Sequence, residues 1–185
     1  MYRISSLVSK STLKTLIETL VQPHYDYACT SWYTSTSKVN KYRLQTSQNK
    51  LVRLLLDLTP TTHLTPDHFA KVGWLRVDDR VKQLSMCLVY KIHYTSLIPK
   101  YLSQYFQNVC DHHDHNTRGS SINHVKPRFK TNLGLTYAHS PFMPTFYTTV
   151  WNALPRALKE CTTLPTFKVA LKEHLQMAAI QDWPP

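Results

Sequence analysis

Hydrophobic positions along the chain recur mainly at intervals of three and four, the period of helices that bury one face. The longest such segment runs from Lys38 to Leu58, KVNKYRLQTSQNKLVRLLLDL. At about 100° per residue, Leu44, Leu51, Leu54, Leu55 and Leu58 share a sector about 100° wide, and Arg43, Lys50 and Arg53 share the adjoining one. The spacing predicts a long helix with an apolar face beside a basic one. On periodicity alone the basic face reads as an ordinary solvated surface.

The same reasoning orders the rest of the chain. Ser11 is the expected N-cap of a helix through Gln22, with Leu13, Leu16, Ile17 and Leu20 on one side and Pro23 ending or kinking it. PHYDYACTSWY then brings Tyr25, Tyr27, Trp32 and Tyr33 close together. Aromatics at that density favour core packing over stacking on bases. After the long helix, Thr65, Pro66, Asp67 and Gly73 mark a short helix by N-cap, first-turn proline, first-turn acid and terminal glycine. Trp74 and Leu75 are expected in the core. Asp78 and Asp79 open a helix to about Tyr94, with Val81, Leu84, Leu88 and Ile92 inward and Arg80, Lys82 and Lys91 outward. Pro99 starts a further short helix, KYLSQYF.

At Gln107 the pattern weakens. The stretch to about Ser140 is polar, histidine-rich and nearly aperiodic, which predicts a long exposed connection with some extended backbone. Order resumes with PFMPTFYTTVWNALP. A final helix, TLPTFKVALKEHL, starts at Pro165 and turns Phe167, Ala170, Leu171 and Leu175 inward.

Composition changes the meaning of the basic face. In 185 residues, Lys and Arg number 22 against 11 Asp and Glu, a net charge of +11. Such an excess is relieved by an anionic partner, and a phosphate backbone is the commonest. The N-terminal part, through Phe106, carries most of it. No apolar run approaches the roughly 20 residues that cross a bilayer, and the N-terminus lacks a signal-peptide core. Cys29, Cys87, Cys110 and Cys161 form no C-x-x-C pair. These features lead us to expect reduced thiols, a cytoplasmic or nuclear setting and no membrane span.

Two clusters invite metal chemistry. Cys110, His112, His113 and His115 crowd together without the second, distant pair that closes a tetrahedral zinc site, since His124 and His139 stand singly. A solvated polar loop is the favoured reading. Asp78-Asp79 lacks the strand-turn setting and third carboxylate of a two-metal centre, and suits a helix N-terminus instead. Phosphate-loop, dinucleotide and nucleophile-elbow patterns are missing. We therefore expect no metal, no cofactor and no catalysis.

Several segments, taken in order, resemble a known family. SKSTLKTLIETLVQPHYDYACTSW, LQTSQNKLVRLLL, VGWLRVDDRVKQLSMCLVYKI, the stretch His115-Asn116-Thr117-Arg118-Gly119-Ser120-Ser121, and VWNALPRAL with LPTFKVALKEHL resemble the region downstream of the polymerase core in jockey-like LINE (non-LTR) retrotransposon reverse transcriptases. The resemblance covers almost the whole chain. It implies a mainly α fold: a thumb-like basic multi-helix bundle over 1–106, the polar connection over 107–140 and C-terminal helices over 141–185. It also implies that Arg43, Lys50 and Arg53 face an RNA or RNA/DNA backbone, and Lys41, Arg80 and Lys82 are further candidates for such contacts. The family's Tyr/Phe-x-Asp-Asp palm motif and its endonuclease have no match here, so catalysis is not carried over. Two further expectations stand beside backbone binding: an interaction module that packs on a polymerase palm supplied in trans, and a translated remnant with no selected role.

Overall fold

Small hydroxyl side chains start the main helices. The Ser9 hydroxyl accepts the Thr12 N–H at 3.2 Å, the Ser37 hydroxyl accepts the Asn40 N–H at 3.4 Å, and the Thr65 N–H donates to His68 Nδ1 at 3.1 Å. Each satisfies a backbone or cap group that the first turn leaves without a partner. In the computed structural model, which describes residues 2–95, 98–111, 121–126 and 145–181, these caps precede α1 (Lys10–Leu20), α4 (Lys38–Leu55) and α5 (Pro66–Val72). Between them lie α2 (Gln22–Asp26) and α3 (Cys29–Trp32). The chain continues with α6 (Val77–Tyr94), α7 (Lys100–Ser103), α8 (Thr145–Ala153), α9 (Arg156–Lys159) and α10 (Leu164–Gln181). The protein is mainly α-helical. Among the described residues, extended backbone pairs at the isolated antiparallel bridge of Asn108 with His124.

Several boundaries differ from the sequence expectation for local reasons. The first cap is Ser9 rather than Ser11, because Ser9 holds extended backbone and its hydroxyl reaches the Thr12 N–H. Pro23 does more than end α1: it sits in the first turn of α2, where its missing N–H costs nothing. The long helix stops at Leu55, not Leu58. Asp57 takes a left-handed conformation at φ 53, which lets the Leu58 N–H reach back to the Arg53 carbonyl at 2.9 Å, a Schellman-type closure. The short helix α5 follows its predicted signals, with Gly73 left-handed at φ 78 after its last turn.

Two compact units divide the chain. The first comprises Met1–Cys29, Thr36–Val81 and Lys172–Pro185; the second comprises Thr30–Ser35 and Lys82–Leu171. Gln107, where the composition shifts, lies inside the second unit. In the first unit, Leu13 and Ile17 of α1 meet Leu51, Val52 and Leu55 of α4, with Leu64, Phe69, Val72 and Trp74 closing the cluster. Full burial of an aliphatic side chain such as Ile17 stabilises by about 2 kcal/mol. The second unit is built on aromatics: Tyr90 stacks on Phe167 with centroids 4.7 Å apart, and Trp151 lies 6.0 Å from the same ring.

The expected inner stripe of α6 is only partly right. Val81 is buried, but Leu84, Leu88 and Ile92 are half-buried, while Gln83, Ser85, Met86, Cys87, Val89 and Tyr90 are buried. Buried positions fall all round this helix, so no single stripe defines its inside. By contrast, Phe167, Leu171 and Leu175 of α10 are buried as their spacing predicts. Of the clustered aromatics, Tyr33 is buried and Tyr27 is 82% exposed.

Candidate nucleic-acid interface

The buried positions of α4 are Gln48, Leu51, Val52 and Leu55. Their midpoint lies about 60° around the axis from that of the predicted leucine stripe. The rotation has a visible cause: Gln48 donates its side-chain amide to the Leu75 carbonyl at 2.8 Å, which lets a polar residue join the inner face. Its consequence is that Arg43 and Lys50 lie about 130° and 150° around the axis from the core-facing midpoint, farther from the core than the leucine stripe implies. Arg43 and Lys50 are exposed and lie seven residues, or about 10 Å of helix rise, apart.

Tyr42, 73% exposed, and Val39, 60% exposed, border the same outward face. Between Asp26 and Asp57 the chain contains no acidic residue. The face is thus cationic and partly aromatic, and α4 itself carries no carboxylate to offset it. Tyr42 was not anticipated as part of this surface; it lies about 100° around the axis from Arg43, at the flank of the outward side.

The other anticipated residues are placed differently. Lys41 projects from the inner side of α4 and is half-exposed. The Arg53 guanidinium donates through Nε and Nη2 to the Thr62 carbonyl at 3.0 and 2.9 Å, tying the loop after α4 to the helix. Arg80 forms an ion pair with Asp26, Nη2 to Oδ2 at 2.7 Å with Nε to Oδ1 at 3.1 Å. That fork geometry commits its guanidinium to a carboxylate. Lys82, half-exposed, belongs to the second unit. The structure thus brings Arg43 and Lys50 onto one face and assigns Arg53 and Arg80 to internal contacts.

Titratable chemistry collects instead in the second unit. His124 is 2% exposed and stacks on His93 with ring centroids 4.4 Å apart. Burial first, then the nearby His93 and Lys159, push its pKa down from 6.5 to about 3. Burial likewise lowers the pKa of His93. Lys159, 4% exposed, donates to Asn123 Oδ1 at 2.8 Å and the Asn152 carbonyl at 3.1 Å, and burial lowers its pKa. Asn152 in turn pins His124 from both sides of its backbone, accepting its N–H and donating to its carbonyl, each at 2.9 Å. Sequence reasoning weighed His124 only as a stray metal ligand, because nothing local to it signals burial.

Among the described residues, no three His, Cys, Asp or Glu side chains gather as a metal site. His112, His113, His115 and His139 lie outside the described residues, as does most of the stretch from His115 to Ser121. No disulfide joins the four cysteines. No helix among the described residues is long and apolar enough to cross a membrane. No protein-family model matches the chain, and no characterised protein or solved structure matches it significantly.

Proposed function

We propose that this chain binds RNA or an RNA/DNA duplex without sequence preference, by neutralising backbone phosphates along the outward face of α4. On this reading it is a non-catalytic, thumb-like part of a LINE-type reverse transcriptase, as its sequence resemblance implies. The observation that carries the proposal is the exposed pair Arg43 and Lys50 on a helix free of carboxylates. Cations so placed release counterions when phosphates replace them, and that release supplies affinity without reading base edges. Tyr42 on the same face adds a surface for stacking on an unpaired base.

The test is binding of the purified chain to a structured RNA and to an RNA/DNA duplex over a salt series. The logarithm of affinity falls linearly with the logarithm of salt concentration, and reversing Arg43 and Lys50 to Glu lowers that slope by about 2. An unchanged slope in the double variant defeats the proposal. A second reading, docking on a polymerase palm in trans, draws on the exposed Leu7, Leu20, Tyr27 and Val39 of the same unit. It expects affinity for protein that is insensitive to salt.

A further inference from the structure

The outward side of α4 is not uniformly cationic. Around the helix axis, Val39 and Thr46 lie about 170° from the core-facing midpoint, at the centre of that side. Arg43 and Lys50 run along one flank, and Tyr42 marks the other. Val39 precedes Tyr42 by three residues and Thr46 follows it by four, so both stand next to it on the helix surface. Tyr42 is 73% exposed and Val39 60%, while Thr46 is half-exposed. One side of the helix therefore offers an aromatic and apolar strip parallel to a basic one.

Charge selects the kind of occupant. α4 contains no Asp or Glu. The carboxylates that bracket it in the sequence pair with cations of other helices, Asp26 with Arg80 at 2.7 Å and Asp57 with Lys10 at 2.5 Å. An anionic partner is thus favoured. The strip beside the cations selects further among anions. A duplex turns its phosphates outward and keeps its bases paired and stacked within, so it meets Arg43 and Lys50 but leaves Tyr42 and Val39 against hydrated backbone. A single strand presents phosphates and the flat faces of unpaired bases together. A base lying on the Tyr42 ring covers apolar surface that a duplex leaves wet, and the Arg43 guanidinium provides a second plane for stacking.

We infer that this side of α4 prefers a single-stranded or unpaired stretch of nucleic acid to a duplex, with Tyr42 as the residue that makes the distinction. The inference rests on the backbone-binding reading above and narrows its ligand. Arg43 and Lys50 supply affinity common to both forms, and Tyr42 supplies the part that only an unpaired base returns. Base identity matters little, since every base has a π face.

Fluorescence anisotropy of the full chain against a short labelled single strand free of self-complementarity, and against its duplex of the same length, tests this. At matched salt the strand binds about tenfold more tightly than the duplex, the contribution of one stacked base. Tyr42→Ala removes that advantage and leaves duplex affinity and both salt slopes unchanged. Tyr42→Phe keeps it, because stacking needs the ring and not the hydroxyl. Both variants alter a mostly exposed side chain and keep the fold, which circular dichroism checks. Inorganic polyphosphate, which carries charge without bases, competes less well than unlabelled strand. The inference is overturned if the duplex binds as tightly as the strand, if Tyr42→Ala leaves their ratio unchanged, or if polyphosphate competes as well as the strand. Equal binding of strand and duplex that collapses when Arg43 and Lys50 are reversed to Glu keeps backbone binding and overturns the preference alone. Absence of binding by either form overturns both.

Discussion

The two units bury different kinds of surface. The first closes on aliphatic and aromatic side chains from α1, α4 and α5, and its polar groups mostly remain at the edges. The second buries Gln83, Ser85, His124, Thr148 and Lys159 together with its aromatics. Hydrogen bonds between residues far apart in sequence hold that interior, such as Gln83 to the Lys168 carbonyl at 3.1 Å and Tyr90 to the Cys161 carbonyl at 2.8 Å. An apolar interior depends on volume and tolerates modest change, whereas a polar one depends on every partner being present. The first unit is thus a scaffold that leaves one face of α4 exposed. The second commits polar atoms inward.

The largest effect sharpens this contrast by truncation. Trp151→Ala in the second unit removes a side chain 1% exposed and leaves the Ile122 carbonyl without its indole donor, so it costs about 4 kcal/mol. Ile17→Ala in the first unit costs about 3 kcal/mol through lost volume alone. Equilibrium urea unfolding of both variants measures the difference, and equal losses break the contrast.

Acid separates the units next. The folded pKa of His124, about 3, lies below its ordinary 6.5, so the unfolded chain takes up the proton first. Its contribution to stability is complete above about pH 6.5 and declines as pH falls toward 3, by up to roughly 1.4 kcal/mol per pH unit. His93, shifted in the same direction, adds to the loss. His124→Phe flattens this dependence. Denaturant midpoints of the two proteins, measured from neutral pH downward, decide it, and parallel curves rule it out.

The smallest effect tests a local feature of the first unit. Gly73 sits at φ 78, and a Cβ there meets nothing nearer than the Lys14 ammonium at 3.7 Å. Gly73→Ala therefore clashes with nothing and costs about 1 kcal/mol from left-handed backbone strain. Thermal unfolding of that variant reads the cost directly.

The contrast also explains what was legible beforehand. Thr65, Pro66, Asp67 and Gly73 announce α5 because capping and turn chemistry act within a few residues. Phe167, Leu171 and Leu175 show their face because one side of α10 packs in a regular period. Leucine spacing alone puts the inner face of α4 about 60° from its place, because it leaves out the buried Gln48. A glutamine enters a core only when a distant acceptor, here the Leu75 carbonyl, is brought to it. Arg53 and Arg80 looked like surface cations, and no local pattern reveals that Thr62 or Asp26 would engage them.

The sequence by itself determined that this chain is mainly helical, where α5 starts and stops, and that its N-terminal part is strongly basic. Those properties follow from φ preferences, capping and charge count, which neighbours along the chain settle. Tertiary structure alone decided which cations face outward and that Lys159 and His124 lie buried side by side. Such outcomes depend on groups far apart in sequence meeting as acceptors, donors and packing surfaces. No local period records those meetings.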